Sequence, residues 1–288
     1  MTRIILTGAN GFIASAIRHF NSDRFEFINV TRKQIDFTKP ETVTPYLMDQ
    51  DFDVILHTAA NAQTEFCANN PELSHAVNVE SAIKVAEAAQ VKGAKFLFIS
   101  TEQVFNGKTE AGPFTEEDEV NCVTNYGNQK IEVEQWLNAN AKDYVILRLS
   151  SMFGMAMPGV KPSSNFLMRA WNAMRTKTPA KFTPNEQRGM TYVMHLAENF
   201  DKIIALPDGT YHVSSVNNRT TYELCRWIAE ELGYPKEEID QYILPDNERY
   251  ADRFRDYRLN ADKLKGYGID FGTVEEDLDR CLKDFGWR

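Results

Sequence analysis

Arg3-Ile4-Ile5-Leu6-Thr7-Gly8-Ala9-Asn10-Gly11-Phe12-Ile13-Ala14 opens the chain with a short apolar run and a turn of small residues. The run reads as a buried strand, and residues 11–21 read as a helix. Small residues at 8, 11 and 14 let the backbone turn tightly, approach a pyrophosphate and pack the helix on the sheet. The helix then offers unpaired N–H groups to the phosphates. A glycine triplet alone means little, but between a strand and a helix it has the context that a dinucleotide site requires. Gly8, Asn10, Gly11, Phe12 and Ile13 are therefore candidate cofactor contacts.

The alternation continues outward from this turn. Phe25 to Thr31 reads as a second strand, Val54-Ile55-Leu56 as a third, Lys95 to Ser100 as a fourth and Tyr144 to Leu149 as a fifth. Residues 71–92 carry a long helical pattern with Pro71 in its first turn, and residues 124–141 carry another. Near-continuous apolar strands between helices predict an α/β fold, a Rossmann-type doubly wound parallel sheet. Beyond about residue 155, prolines at 158, 162, 179 and 184 break the pattern. Thr210 to Ser214 reads as a late strand, and 220–233 and 273–286 as helices. We expect a dinucleotide-binding core over 1–155 and a smaller C-terminal substrate lobe over 156–288, with some segments returning to the core. Such lobes close over the carboxyl ends of the strands, where ligands sit.

The 288 residues are 43% hydrophobic and 25% charged, with a net charge of −9. That allows a substantial core and argues against a nucleic-acid partner, which calls for a basic excess. No apolar run approaches the ~20 residues of a membrane span, so no membrane partner is expected. The first residues read as a strand rather than a signal peptide. Cys67, Cys122, Cys225 and Cys281 form no CxxC pair. Reduced thiols and a cytoplasmic location are the expectation. His19, His57, His75, His195 and His212 lack metal-ligand spacing, and Asp240, Asp246, Glu248 and Asp252 read as a solvated acidic face, so no metal is expected.

The simplest NAD site ends its second strand in an acid that holds the ribose hydroxyls. Asn29-Val30-Thr31-Arg32-Lys33 supplies two cations instead. Arg32 and Lys33 suit a 2′-phosphate, so NADP(H) is the expected cofactor and NAD(H) the alternative. Asp36-Phe37 follow, placed for the adenine edge. Tyr126-Gly127-Asn128-Gln129-Lys130 sets a phenol and an ammonium four residues apart, on one face of a helix. The cation is expected to lower the proton affinity of the phenol. Such a tyrosine exchanges a proton with a carbonyl or hydroxyl while hydride moves at the carbon. Thr101, ending the fourth strand, can polarise the same oxygen. In the substrate lobe Arg249, Arg253, Arg255 and Arg258 form a basic cluster suited to a pyrophosphate, interleaved with aspartates.

Together these pieces resemble the extended short-chain dehydrogenase/reductase superfamily over essentially the whole chain. The match rests on Thr7-Gly8-x-x-Gly11-x-x-Ala14, Ala59-Ala60, Asn78, Ser100-Thr101, Tyr126-x-x-x-Lys130 and Arg148 to Gly154. Within it, Ser100-Thr101-Glu102-Gln103-Val104-Phe105-Asn106-Gly107 is similar to a segment of the dTDP-4-dehydrorhamnose reductase branch, as are the Pro71 helix and Tyr211-His212-Val213. The resemblance implies Thr101, Tyr126 and Lys130 as the catalytic triad. It also implies Lys130, Ala59 and Ala60 as cofactor contacts, and Glu102 and Gln103 as substrate-facing positions. The implied activity is reduction of a 4-keto nucleotide-diphosphate sugar, and a homodimer is left open. Glu102 and Gln103 replace the branch's Asp-Tyr, and Ser151 stands where it often has tryptophan, so the sugar is not specified. Two alternatives follow from the resemblance. One is a nucleotide-sugar epimerase or dehydratase, although a dehydratase carries an acid pair where Gln103 breaks it. The other is a cofactor-binding regulatory subunit without turnover.

Overall fold

The computed structural model describes residues 1–155 and 163–287; Pro158 and Pro162 lie outside the described residues. Six strands form one parallel sheet: β1 (Arg3–Thr7), β2 (Glu26–Val30), β3 (Val54–His57), β4 (Lys95–Thr101), β5 (Tyr144–Leu149) and β6 (Gly209–Val213). Their order is β6-β5-β4-β3-β1-β2, with Thr7 opposite both Val30 and His57. The winding reverses between β1 and β3, and the crevice at that reversal opens at their carboxyl ends.

Residue alternation assigns the two faces. Ile4, Leu6, Leu56, Leu97 and Leu147 pack with Ala14 and Ile17 of α1 (Phe12–Asn21) and with Leu196 and Phe200. Ile5, Ile55, Phe96, Phe98 and Ile146 pack on the other face, against Val85, Ala86, Val133 and Leu137. Each such buried side chain contributes roughly 1.5–3 kcal/mol, so slipping a strand by one residue would cost the fit of both layers.

The helix expected over 71–92 is three joined segments: α2 (Pro71–His75), a π turn (Ala76–Glu80) and α3 (Ser81–Lys92). The 124–141 helix is α4 (Asn125–Asn140), capped by the Thr124 hydroxyl. The second half of the chain is divided. Gly209–Val213 adds the sixth strand beside β5. A separate core gathers Phe153, Phe166, Leu167, Phe182, Met190, Leu224, Ile228 and Leu278. No helix among the described residues is long and apolar enough to cross a membrane.

Candidate active site

Gly8 leaves β1 with φ of +65°, and a Cβ there would lie 2.9 Å from both Ala59 N and Thr58 Oγ1. Glycine is thus required on conformation and on space. Thr7 Oγ1 accepts the Thr58 and Ala59 N–H groups at 3.2 and 3.3 Å. Its own proton is left for His57 Nδ1, 3.0 Å away. Gly11 caps α1 with no side-chain hydrogen bond, and the first turn of that helix holds no acidic residue. The helix N-terminus is open toward a cavity of about 310 Å³, lined by Gly11, Phe12, Ile13, Thr58, Ser100, Thr101, Tyr126 and Ser150. An uncapped, unopposed positive helix end fits a pyrophosphate.

The other expected cofactor residues are dispersed around this turn. Asn10, Arg32, Lys33 and Ala60 are exposed, and Ala59 is half-buried. Asp36 is also exposed; it accepts the Thr38 hydroxyl and N–H, which hold its carboxyl below the usual range. The Phe37 side chain is turned into the core, 5.7 Å from the His57 ring, because burying the phenyl outweighs displaying it. Arg18, not expected from the sequence, reaches Ala9 O at 3.1 Å and Asn29 Oδ1 at 2.9 Å. It adds a third cation at the end of β2. Its only signal is its place two turns into α1.

Thr101, Tyr126 and Lys130 converge. Thr101 ends β4, while Tyr126 and Lys130 lie a turn apart on α4, and all three are buried. Burial is the main influence on Tyr126 and pushes its phenol up; the Glu102 charge adds to this, and the adjacent Thr101 hydroxyl opposes it. The expected lowering by Lys130 is not what the geometry gives. Lys130 Nζ donates to Ile99 O at 2.8 Å, lies 4.5 Å from the Phe98 ring centroid and 5.9 Å from that of Tyr126. Burial brings the ammonium down to about 8, against the pull of Glu134. Glu134 itself holds Arg148 at 2.7 Å and the Ser100 hydroxyl at 2.5 Å.

A second, polar network positions α4. Asn78, in the π turn, accepts Asn61 N–H at 2.7 Å and donates to Asn61 O at 2.9 Å and Gln129 Oε1 at 2.8 Å. Gln129 then donates to Ser74 at 2.8 Å. Gln129 was not among the expected site residues; its signal was its place between Tyr126 and Lys130.

A neighbouring polar cavity of about 190 Å³ is lined by Asn165, Arg169, Lys181, Thr183, Glu186, Arg188 and Arg249. Only Arg249 of the expected basic cluster lines it. Arg253 donates to Asn106 O and Lys108 O, Arg255 pairs with Asp252, and Arg258 pairs with Asp256 and donates to Gly112 O. Those three brace loops, Arg253 through backbone carbonyls and Arg255 and Arg258 through the interleaved aspartates. Glu102 is buried in an ion pair with Arg188 at 2.7 Å. Gln103 Oε1 accepts from Asn106 Nδ2. Lys181 and Arg188 were missed because they fall in or beside strands of two or three residues, and Arg169 because nothing in the sequence marks which face of its helix, Phe166–Thr176, meets the cavity. Among the described residues no cluster of His, Cys, Asp and Glu could hold a metal ion.

Comparison with known proteins agrees with this architecture. The RmlD substrate binding domain family model matches residues 1–286. The spore coat polysaccharide biosynthesis protein SpsK of Bacillus subtilis is 28% identical, over 81% of this chain and 80% of its own. Methionine adenosyltransferase 2 subunit beta of Bos taurus is 26% identical, over 99% and 90%. The crystal structure of a dTDP-4-dehydrorhamnose reductase from Bacillus anthracis, in complex with NADP, superposes with a TM-score of 0.86 at 24% identity, covering 98% of this chain and 99% of that one. The sheet order, the glycine turn after β1 and the whole-length match place this chain in the RmlD substrate binding domain family.

Proposed function

We propose that the chain is an NADPH-dependent reductase of a 4-keto nucleotide-diphosphate sugar. The observation carrying this reading is that one cavity is bounded both by the open end of α1 and by Thr101 and Tyr126. A dinucleotide phosphate and a reacting carbon can then meet their partners at the same time. In this reading Gly8, Asn10, Gly11, Phe12 and Ile13 hold the pyrophosphate, Arg32 and Lys33 hold the 2′-phosphate, and Arg18 braces the turn beneath them. Asp36 and the Ala59-Ala60 backbone flank the adenosine, and Lys130 holds the nicotinamide ribose. When bound, the reduced nicotinamide supplies hydride. Tyr126 gives its proton to the carbonyl oxygen as charge develops there, and the Thr101 hydroxyl donates to the same oxygen. Burial suits the phenol to this direction, because it keeps the proton until the oxygen needs it. The stretch 156–288 serves mainly as the substrate lobe, apart from the segments that return to the core, and its polar cavity takes the sugar diphosphate through Arg169, Lys181, Arg188 and Arg249.

The test is Tyr126→Phe, which removes one oxygen and keeps the ring. With a 4-keto sugar nucleotide, kcat should fall about 10²–10⁴-fold while NADPH titration stays unchanged. A near wild-type kcat would overturn the mechanism. A second reading, a cofactor-binding subunit without turnover, is favoured by the whole-length similarity to methionine adenosyltransferase 2 subunit beta. Wild-type protein that binds NADPH yet reduces no sugar nucleotide would select it.

A further inference from the structure

We infer that Arg188 is shared between Glu102 and the diphosphate of the substrate, so that seating the substrate draws a proton onto Glu102 beside Tyr126. This rests on the reading of the polar cavity given above.

Arg188 Nη2 lies 2.7 Å from Glu102 Oε1 and 4.0 Å from Glu186 Oε1. One guanidinium thus serves two buried carboxylates. Glu102 opens the turn that directly follows β4, whereas Glu186 and Arg188 come from the second half of the chain. Glu102 Oε2 and Arg188 Nε are both buried without a hydrogen-bond partner among the described residues; His57 Nε2 is the one other such atom. Buried polar groups normally find partners, so two orphans in a single ion pair mark a place where the arrangement is incomplete. Arg188 also lines the polar cavity, with Arg169, Lys181 and Arg249 on the walls.

The charged and titratable groups facing Glu102 are Arg188, Glu186 and Tyr126. Those facing Arg188 include Tyr250, Tyr257 and Arg249. Burial holds the Glu102 carboxyl at about 7, with Arg188 as the main opposing influence. A diphosphate in the cavity competes for Arg188 and adds negative charge nearby, and both effects favour protonated Glu102. The proton comes from bulk buffer: one O–H bond forms on Glu102, and nothing is oxidised or reduced. The Glu102 charge is one of the groups that disfavours ionisation of Tyr126. Its fuller neutralisation when substrate is seated makes Tyr126 a stronger acid.

The probe is dTDP-glucose, whose esterified diphosphate has no proton titrating near neutrality. Titration calorimetry just above neutral pH, in buffers of different ionisation enthalpy, should show uptake on the order of half a proton per site. Affinity should fall roughly threefold per pH unit as pH rises through the carboxyl's range. Glu102→Gln should bind the probe with no uptake and a flat profile. Should that variant fail to fold, the infrared difference spectrum of the wild type on binding should gain a protonated-carboxyl band. Binding without proton uptake, or equal uptake in Glu102→Gln, overturns this inference and leaves the reductase reading standing. No binding of dTDP-glucose, nor of UDP-glucose or GDP-glucose in the same assay, overturns both.

Discussion

Arg18 and Arg32 illustrate how two cations near one strand end can do different work. Arg18 is committed to Ala9 O and Asn29 Oδ1, so it braces the phosphate turn against β2. Arg32 is exposed, and its charge acts on Asp36. If Arg32 meets a 2′-phosphate, Arg32→Ala should weaken NADPH about ten- to a hundredfold, the worth of a charge-assisted contact of roughly 1.5–3 kcal/mol. NADH should be nearly unaffected. Arg18→Ala should weaken both dinucleotides, since it loosens the turn itself. Fluorescence titration of each variant with both cofactors decides this, and equal losses for Arg32→Ala would return that residue to the surface. Lys130 is the other divided residue. Lys130→Met removes the donor to Ile99 O as well as the ammonium, so turnover and dinucleotide affinity should fall together. That would separate it from Tyr126→Phe, which should lower turnover alone.

Between elements, the π turn is the feature with most consequence. It rotates Asn78 so that one amide joins the 59–63 loop, through Asn61, to α4, through Gln129. Asn78→Leu keeps the volume but leaves the Asn61 backbone groups and the Gln129 amide short of partners. Each such orphan costs about 1–3 kcal/mol, so denaturant unfolding should show a loss of at least about 2 kcal/mol, and NADPH affinity should drop as α4 loosens. An unchanged unfolding midpoint would show that the network is dispensable. The same region shows what a sequence can and cannot disclose. The 71–92 pattern announces a helix because apolar residues recur at helical spacing. The π turn leaves no such mark, since it depends on partners 17 and 51 residues away. Strands β1, β3, β4 and β5 were legible because both their faces are largely buried and their composition is continuous. Thr101, Tyr126 and Lys130 were legible because strand end and helix spacing are local properties. Arg249, Arg253, Arg255 and Arg258 looked like one cluster because they are close in sequence. The chain turns at Tyr250, with φ of +58°, and Asp252 and Asp256 take two of the arginines. The cations that line the polar cavity with Arg249, among them Arg169 and Arg188, are brought there only by tertiary packing.

For the molecule as a whole, two buried histidines set its response to acid. His212 on β6 donates through Nδ1 to Phe114 O and Asn260 O, each at 3.1 Å, and faces Arg148 through Nε2. Its own N–H goes to Glu116, so one residue ties the sheet to two distant loops. His57 accepts the Thr7 hydroxyl at Nδ1, and its Nε2 has no partner among the described residues. Burial holds both imidazoles neutral, with pKa values of about 3 against 6.5 when unfolded. Below 6.5 the unfolded chain therefore binds more protons, and stability falls by about 1.4 kcal/mol per pH unit for each histidine until pH nears 3. Glu102 acts in the opposite sense. Its folded pKa of about 7 lies above the usual 4.5, so folding gains protons, and stability, as pH falls through that interval. The two effects together predict a profile that declines gently from 6.5 to 4.5, as one histidine offsets Glu102, and steeply below 4.5, where both histidines act unopposed. Urea midpoints measured across that range should show the break. His212→Gln keeps a donor for the two carbonyls, and should reduce the slope below 4.5 by about 1.4 kcal/mol per pH unit at the expense of some stability at neutral pH. A variant with the wild-type slope would mean that His212 is already protonated in the folded protein, and would place the acid response in the carboxylates instead.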